Sequence, residues 1–227
     1  MTDSLLFAPS YTRPWSPAPF PCRRLDRDFL LEPAALKTLA DRLLTAAERD
    51  FWDRLPIRGP RAREWLLGRV AAKEALMQWF QQEQGVSPTD FTLLPDAQGK
   101  PRLQGTLAPL PEVSISHSRG HILAAVAPTP LGVDLERLDV VRFDDWFHLA
   151  FGAEELALIP GRGPLLVGGW CAKEAAAKAW GTGFQGNPKD WVITSFTPDE
   201  ITVQHGDQTF RVRLWYAAQE VVAWCQR

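Results

Sequence analysis

The order of hydrophobic periodicities along the chain predicts an α+β protein built as two similar lobes. A helix-period region precedes short period-two runs, and the second half repeats that order. The tetrapeptide AKEA also falls inside the principal helix of each half, at 72–75 and 172–175. Alanine, lysine and glutamate all favour helix, so four shared residues fit a duplication without establishing one. The expected division is an extended proline-rich segment over 1–30, an N-terminal α+β lobe over 31–130 and a C-terminal α+β lobe over 131–227.

Each element has a local reason. The prolines of RPWSPAPFP predict an extended start that crosses the surface before any regular structure. Residues 32–53 read as a helix, with Pro33 suited to its first turn and Leu36, Leu39, Leu43 and Leu44 on one side. A second helix is expected over 63–82, striped by Leu66, Val70, Met77 and Phe80 and stopped by GVSP. Strands follow at FTLLP, VSIS, HILAAVAP and LGVDLERL, separated by turn chemistry such as DAQGKP. FDDWFHLAF and EELALI read as helices, GRGP as a loop, and the second AKEA helix closes at GTG. The last third reads as strands at DWVITSF, EITVQ, TFRVRLWYAA and EVVAWC, with HGDQ as a turn.

Composition narrows the classes. With 227 residues, 45% hydrophobic and 23% charged, the chain is globular rather than disordered. A net charge of −2 and a pI near 6.1 argue against a general nucleic-acid binder. Arg58, Arg61, Arg63 and Arg69 nevertheless crowd the first AKEA helix, either as a phosphate-holding cluster or as a solvated helix face. Cys22, Cys171 and Cys225 lack metal spacing and are expected to be reduced thiols in a cytoplasmic protein. Neither a signal peptide nor a membrane span is expected.

The chemistry concentrates in two motifs. LGVDLERL alternates in period two, so Asp134 and Glu136 share one face of a strand, about 6–7 Å apart at Cα. One hard divalent cation can bridge that span, with magnesium the natural candidate; a merely wet outer face is the alternative. Glu174 and Lys178 stand one turn apart on the second AKEA helix, whereas the first copy has Glu74 and Gln78. Together with Asp134 and Glu136, the second copy supplies three acids and a lysine able to draw charge from a phosphate. VSISHS adds His117 between Ser116 and Ser118; neighbours on an extended chain point to opposite sides, which disfavours a serine–histidine nucleophile. A phosphate-binding hydroxyl and imidazole fit better. Lys100, in the QGKP turn, borders exposed backbone groups.

Taken as an ordered set, GKP (99–101), SISHS (114–118), GVDLE (132–136) and WCAKEAAAKAWGTG (170–183) resemble the 4′-phosphopantetheinyl transferases, in their two-lobed single-chain form. The resemblance implies an active site in a cleft between lobes and transfer of phosphopantetheine from coenzyme A to a serine of an apo acyl or peptidyl carrier protein. It further implies release of 3′,5′-adenosine diphosphate, and carriers drawn from polyketide, peptide-antibiotic or fatty-acid synthesis. Carried over, Asp134, Glu136 and Glu174 hold magnesium, and Glu174 is the general base for the serine. Lys178 grips the diphosphate; Ser116 and His117 contact coenzyme A phosphates; Gly99, Lys100 and Pro101 border the adenine. Arg63 and Arg69 are expected at the 3′-phosphate, with Arg58 or Arg61 as substitutes. A monomer without nucleic-acid or membrane partners is implied. FDDWFHLAF is a candidate docking surface for the carrier, with core packing of Trp146 and Phe147 equally open. A magnesium-dependent phosphohydrolase or nuclease would use the same acids but leave SISHS and GKP without a task. A carrier-binding scaffold would tolerate a missing acid, and none is missing.

Overall fold

In the computed structural model, which describes residues 12–25, 33–56, 60–138, 147–161 and 163–227, helix and strand alternate in each half as the periodicities predict. Two units separate by their contacts: Met1–Asp96 with Pro101–Pro128, and Ala97–Lys100 with Thr129–Arg227.

The first unit packs helices on an antiparallel sheet. Its elements are β1 (Arg13–Pro14), β2 (Cys22–Leu25), α1 (Pro33–Leu43), α2 (Ala46–Asp53), α3 (Pro60–Trp79), β3 (Phe91–Pro95), β4 (Pro101–Gly105), β5 (Glu112–Ser118) and β6 (His121–Ala127). The main sheet runs β1-β2-β6-β5, and β3 pairs with β4 in a separate ribbon. Arg119 and Gly120 both take positive φ between β5 and β6, the backbone that a tight two-residue hairpin demands. Leu66, Val70 and Leu76 of α3 bury against Ile122, Ala124 and Val126 of β6.

Two expectations are corrected here. The proline-rich start was expected to precede any regular element, but β1 and β2 lie within it and β2 is paired to β6. The helix expected over 32–53 is two helices, because Thr45 ends one and caps the next. Its hydroxyl accepts from the Glu48 backbone while the Glu48 carboxylate accepts from the Thr45 backbone.

The second unit contains β7 (Leu131–Arg137), α4 (Phe147–Ala150), α5 (Ala153–Leu158), α6 (Pro164–Trp180), β8 (Val192–Phe196), β9 (Glu200–His205), β10 (Gln208–Ala217) and β11 (Glu220–Gln226). Its antiparallel sheet runs β7-β11-β10-β9-β8, with Asp134 opposite Ala223. Alanines 172, 175, 176, 177 and 179 of α6 are buried in a core with Ile201, Val203 and Val212. Phe147 is only 2% exposed in that core, so it packs rather than docks, while Leu149 beside it is 75% exposed. Trp146 and the rest of 139–146 lie outside the described residues.

Both AKEA lysines are buried clamps. Lys73 donates to Glu48 at 2.6 Å and to the carbonyls of Leu43, Pro88 and Phe91 at 3.0, 3.0 and 2.7 Å. Lys173 donates to the carbonyls of Ala150 and Pro188 at 2.7 and 3.2 Å and pairs with Glu155 at 2.7 Å. Glu48 and Glu155 both stand at the third position of their helices, where each carboxylate accepts the N-cap amide, and each also accepts a strand amide, from Leu93 and Ile193 respectively, at 2.8 Å. Burial lowers the pKa of both lysines, and their glutamate partners oppose that shift. The AKEA echo therefore extends to a shared three-dimensional arrangement, which four residues of sequence could not establish.

Candidate active site

Gly132 brings β7 and α6 together. A Cβ at this position would overlap the carbonyl of Ala175 and crowd the amide of Ala179, so strand and helix backbones meet at a distance only glycine permits. The alanines of α6 serve the same close approach. Because alternate residues of β7 face α6, Asp134 follows Gly132 onto that side. Lys178 then donates to Asp134 Oδ1 at 2.6 Å and to the Val133 carbonyl at 3.1 Å.

The three predicted acids feel one another. Burial first, then the Asp134 charge, with Lys178 opposing and Glu136 adding, push the Glu174 carboxyl up to about 7. Burial disfavours the charge on Lys178, yet Asp134 and Glu174 outweigh it and raise its pKa. Asp134 is 4% exposed, and Glu136 and Glu174 are half-buried. Three carboxyl groups with one lysine leave surplus negative charge in a partly dry place, a set of hard oxygens suited to a divalent cation. Among the described residues, however, no three His, Cys, Asp or Glu side chains close to metal-binding geometry. In this structure Lys178 is the cation at Asp134, and the expected convergence of all three acids on one point is not formed.

Cys171 lies one turn before Glu174. Burial, the Asp134 and Glu136 charges and a hydrogen bond to Asp134 raise its pKa well above the ordinary value, so it remains a thiol beneath the site. Lys100 belongs to the second unit, where its amino group lies 3.6 Å from the point a Cβ at Gly181 would occupy. Gly181 adopts φ +101° and ends α6, so Lys100 sits beside the electron-rich end of that helix. Gly99 takes φ +85°, and Pro101 opens β4.

The remaining predicted residues belong to the first unit. Ser116 is 4% exposed, whereas His117 is exposed with its ring nitrogen 3.9 Å from a Glu64 carboxylate oxygen. The two therefore point to opposite faces of β5, as the alternation requires. Arg61 is exposed and Arg63 half-buried in the first turns of α3; Arg58 lies outside the described residues. Arg69 corrects an expectation. It is 6% exposed, donates through Nε to the Leu93 carbonyl at 3.1 Å, and stacks 4.2 Å from the Trp65 ring centre. Its guanidinium belongs to the packing of the first unit, and burial lowers its pKa to about 10. Glu74, the counterpart of Glu174, is 5% exposed and pushed up to about 7 by burial, with Arg23 opposing. Arg23 stands opposite Ala124 on β2, where the second unit has Asp134 opposite Ala223 on β7. The first copy thus has a cation on its strand and Gln78 in place of Lys178, a charge order that does not attract a metal.

Sequence reasoning passed over Lys173, Glu155 and Gly132. Glu155 had a signal in its place at the third position of α5, matching Glu48 in α2; the glycine became meaningful only once α6 was seen against β7.

The second unit thus presents an acidic strand against a helix that carries Glu174 and Lys178. Residues 130–225 match the family model described as the 4′-phosphopantetheinyl transferase superfamily. A holo-[acyl-carrier-protein] synthase from an Exiguobacterium species is 37% identical over 87 residues, spanning 37% of this chain and 70% of that protein. The chain belongs to this superfamily and is a phosphopantetheinyl transferase. Solved holo-(acyl-carrier-protein) synthases are also similar. That of Bacillus anthracis, in complex with coenzyme A (3′,5′-ADP), is 30% identical with a TM-score of 0.41 over 46% of this chain and 90% of that one. That of Thermotoga maritima is 25% identical with a TM-score of 0.38 over 49% and 66%.

Proposed function

We propose that this transferase moves 4′-phosphopantetheine from coenzyme A to a serine hydroxyl of an apo acyl carrier protein, with magnesium, and releases 3′,5′-adenosine diphosphate. The observation that carries the reading is the mutual placement of Asp134, Glu174 and Lys178 across the Gly132 contact. The names of the similar synthases support the carrier and the donor.

In the reaction, the serine oxygen bonds to the β-phosphorus of coenzyme A, and the bond from that phosphorus to the bridging oxygen breaks. Glu174 accepts the serine proton; its burial, and then the nearby Asp134 charge, keep its basicity above that of an ordinary glutamate. Lys178, already charged and next to Asp134, is placed to draw charge from the diphosphate. Asp134, Glu136 and Glu174 would hold the magnesium, which when bound supplies neutralisation of the phosphate oxygens. Ser116, His117, Gly99, Lys100 and Pro101 are the proposed contacts to coenzyme A, with Arg63 at the 3′-phosphate and Arg61 near it.

Incubating the protein with magnesium, coenzyme A and an apo carrier tests the reading. A carrier mass gain equal to phosphopantetheine, absent without magnesium, is expected. Nucleotide cleavage without a carrier adduct would instead indicate a hydrolase.

A further inference from the structure

We infer that the buried Lys173–Glu155 pair is a positioning device for Glu174, setting the rotation and height of α6 against β7. The inference rests on the transferase reading of the site, and begins from the surface along which α6 meets its strand. That surface is made of Ala175, Ala179 and Gly132, and the helix face around it is largely alanine. Small side chains let backbones come close but interdigitate little, so they offer weak resistance to a helix rolling or sliding. Nor is the start of α6 pinned by a side chain, since its N-cap, Gly163, makes no side-chain cap bond.

Lys178 ties the C-terminal half of α6 directly to β7 through Asp134 and the Val133 carbonyl, and a second directional restraint, beside Glu174 itself, comes from Lys173. Its ammonium is fully buried and reaches the Ala150 carbonyl at the end of α4, the Pro188 carbonyl and the Glu155 carboxylate. Glu155 is itself held by the amides of Gly152 and Ile193, at 2.7 and 2.8 Å. Helices α4 and α5, the Pro188 turn and strand β8 are thus tied to one residue of α6. Successive helical residues are turned by about 100° and raised by about 1.5 Å. Fixing Lys173 therefore fixes the bearing and height of Glu174, the next residue. The Lys73–Glu48 pair holds α3 in the same way, but the glutamate after it faces Arg23 rather than an acidic strand. It serves as an internal control: a buried lysine–glutamate clamp of the same kind, followed by a glutamate with no proposed part in the reaction.

The test compares Lys173→Met, Glu155→Gln and Lys73→Met with the wild type, measuring thermal stability and, per folded molecule, kcat and KM for coenzyme A. Expected is a kcat loss of roughly 10- to 100-fold in Lys173→Met with KM changed less than about threefold. Glu155→Gln, which keeps the shape of the partner, should lose less. Lys73→Met should keep kcat within about twofold while its melting temperature falls as far as that of Lys173→Met. Equal kcat losses in the two lysine variants would overturn the inference and leave the clamp purely structural. If Lys173→Met does not fold, Glu155→Gln decides, and wild-type kcat in that variant overturns it. A wild type that fails to modify the carrier would contradict the transferase reading itself, whereas an active wild type with active variants contradicts only the positioning role.

Discussion

Gly132 lies directly against the Ala175 carbonyl, and the approach of β7 to α6 at this point sets the spacing between Asp134 and the Glu174–Lys178 face. Replacing Gly132 by alanine forces backbone from backbone, since no flexible side chain is available to yield. The expected cost is about 2–3 kcal/mol of stability, and activity should fall by roughly 100-fold through displacement of the helix. Denaturant unfolding with a carrier-modification assay checks both; full activity in Gly132→Ala would show that the contact does not set the site.

The proposed role of Glu174 as a magnesium ligand predicts a pH dependence of cation binding. With its carboxyl pushed up to about 7 in the metal-free protein, a proton must leave before the oxygen can serve a cation. Below that pH the apparent magnesium affinity should weaken by roughly tenfold per unit, and above it the affinity should level off. Calorimetric titration across the range tests this, and a flat profile would count against Glu174 as a ligand. Glu174→Gln should flatten the profile and reduce transfer by about 10²–10⁴-fold while leaving the fold intact.

Glu74 makes the complementary prediction for stability. Its folded pKa, about 7, is raised above the ordinary value of 4.5, so the native state binds the extra proton between those values. Its contribution is greatest below about pH 4.5 and is lost as pH rises through about 7. Glu74→Gln should gain up to about 3 kcal/mol over the wild type at alkaline pH and little in acid. Unfolding curves at both extremes measure the difference; a pH-independent gap would refute the assignment.

Arg63 and Arg69 of α3 should separate by donor. Arg63→Ala is expected to raise KM for coenzyme A by about tenfold and to leave a donor lacking the 3′-phosphate unaffected. Arg69→Ala loses the Leu93 hydrogen bond and the Trp65 stack, so it should lower the melting temperature and disturb both donors alike. Equal losses with both donors in Arg63→Ala would remove Arg63 from the 3′-phosphate.

Much of this arrangement was legible in the sequence because it is encoded by short-range rules. Period two placed Asp134 and Glu136 on one strand face, and the helical turn placed Lys178 over Glu174. The same rule separated Ser116 from His117. The break at Thr45 was missed because a leucine-rich helical pattern ran through it, although the TAAE capping box marked it. Strands β1 and β2 were hidden by proline, which tolerates an edge such as β1 while masking the pairing beyond it. Arg69 misled because charge in sequence carries no sign of burial; only the Leu93 carbonyl and Trp65 ring reveal where its guanidinium goes. The clamps escaped notice because Lys73 and Lys173 meet partners far along the chain.

The three cysteines carry a practical consequence. All are buried, and desolvation holds Cys22 and Cys225 near 12 and Cys171 well above its usual value. Nucleophilic sulfur is the deprotonated form, so an alkylating dye added to the native enzyme finds almost nothing to label on this chain. The pantetheine arm ends in an accessible thiol, and its passage from nucleotide to acceptor can be followed by fluorescence against a dark background.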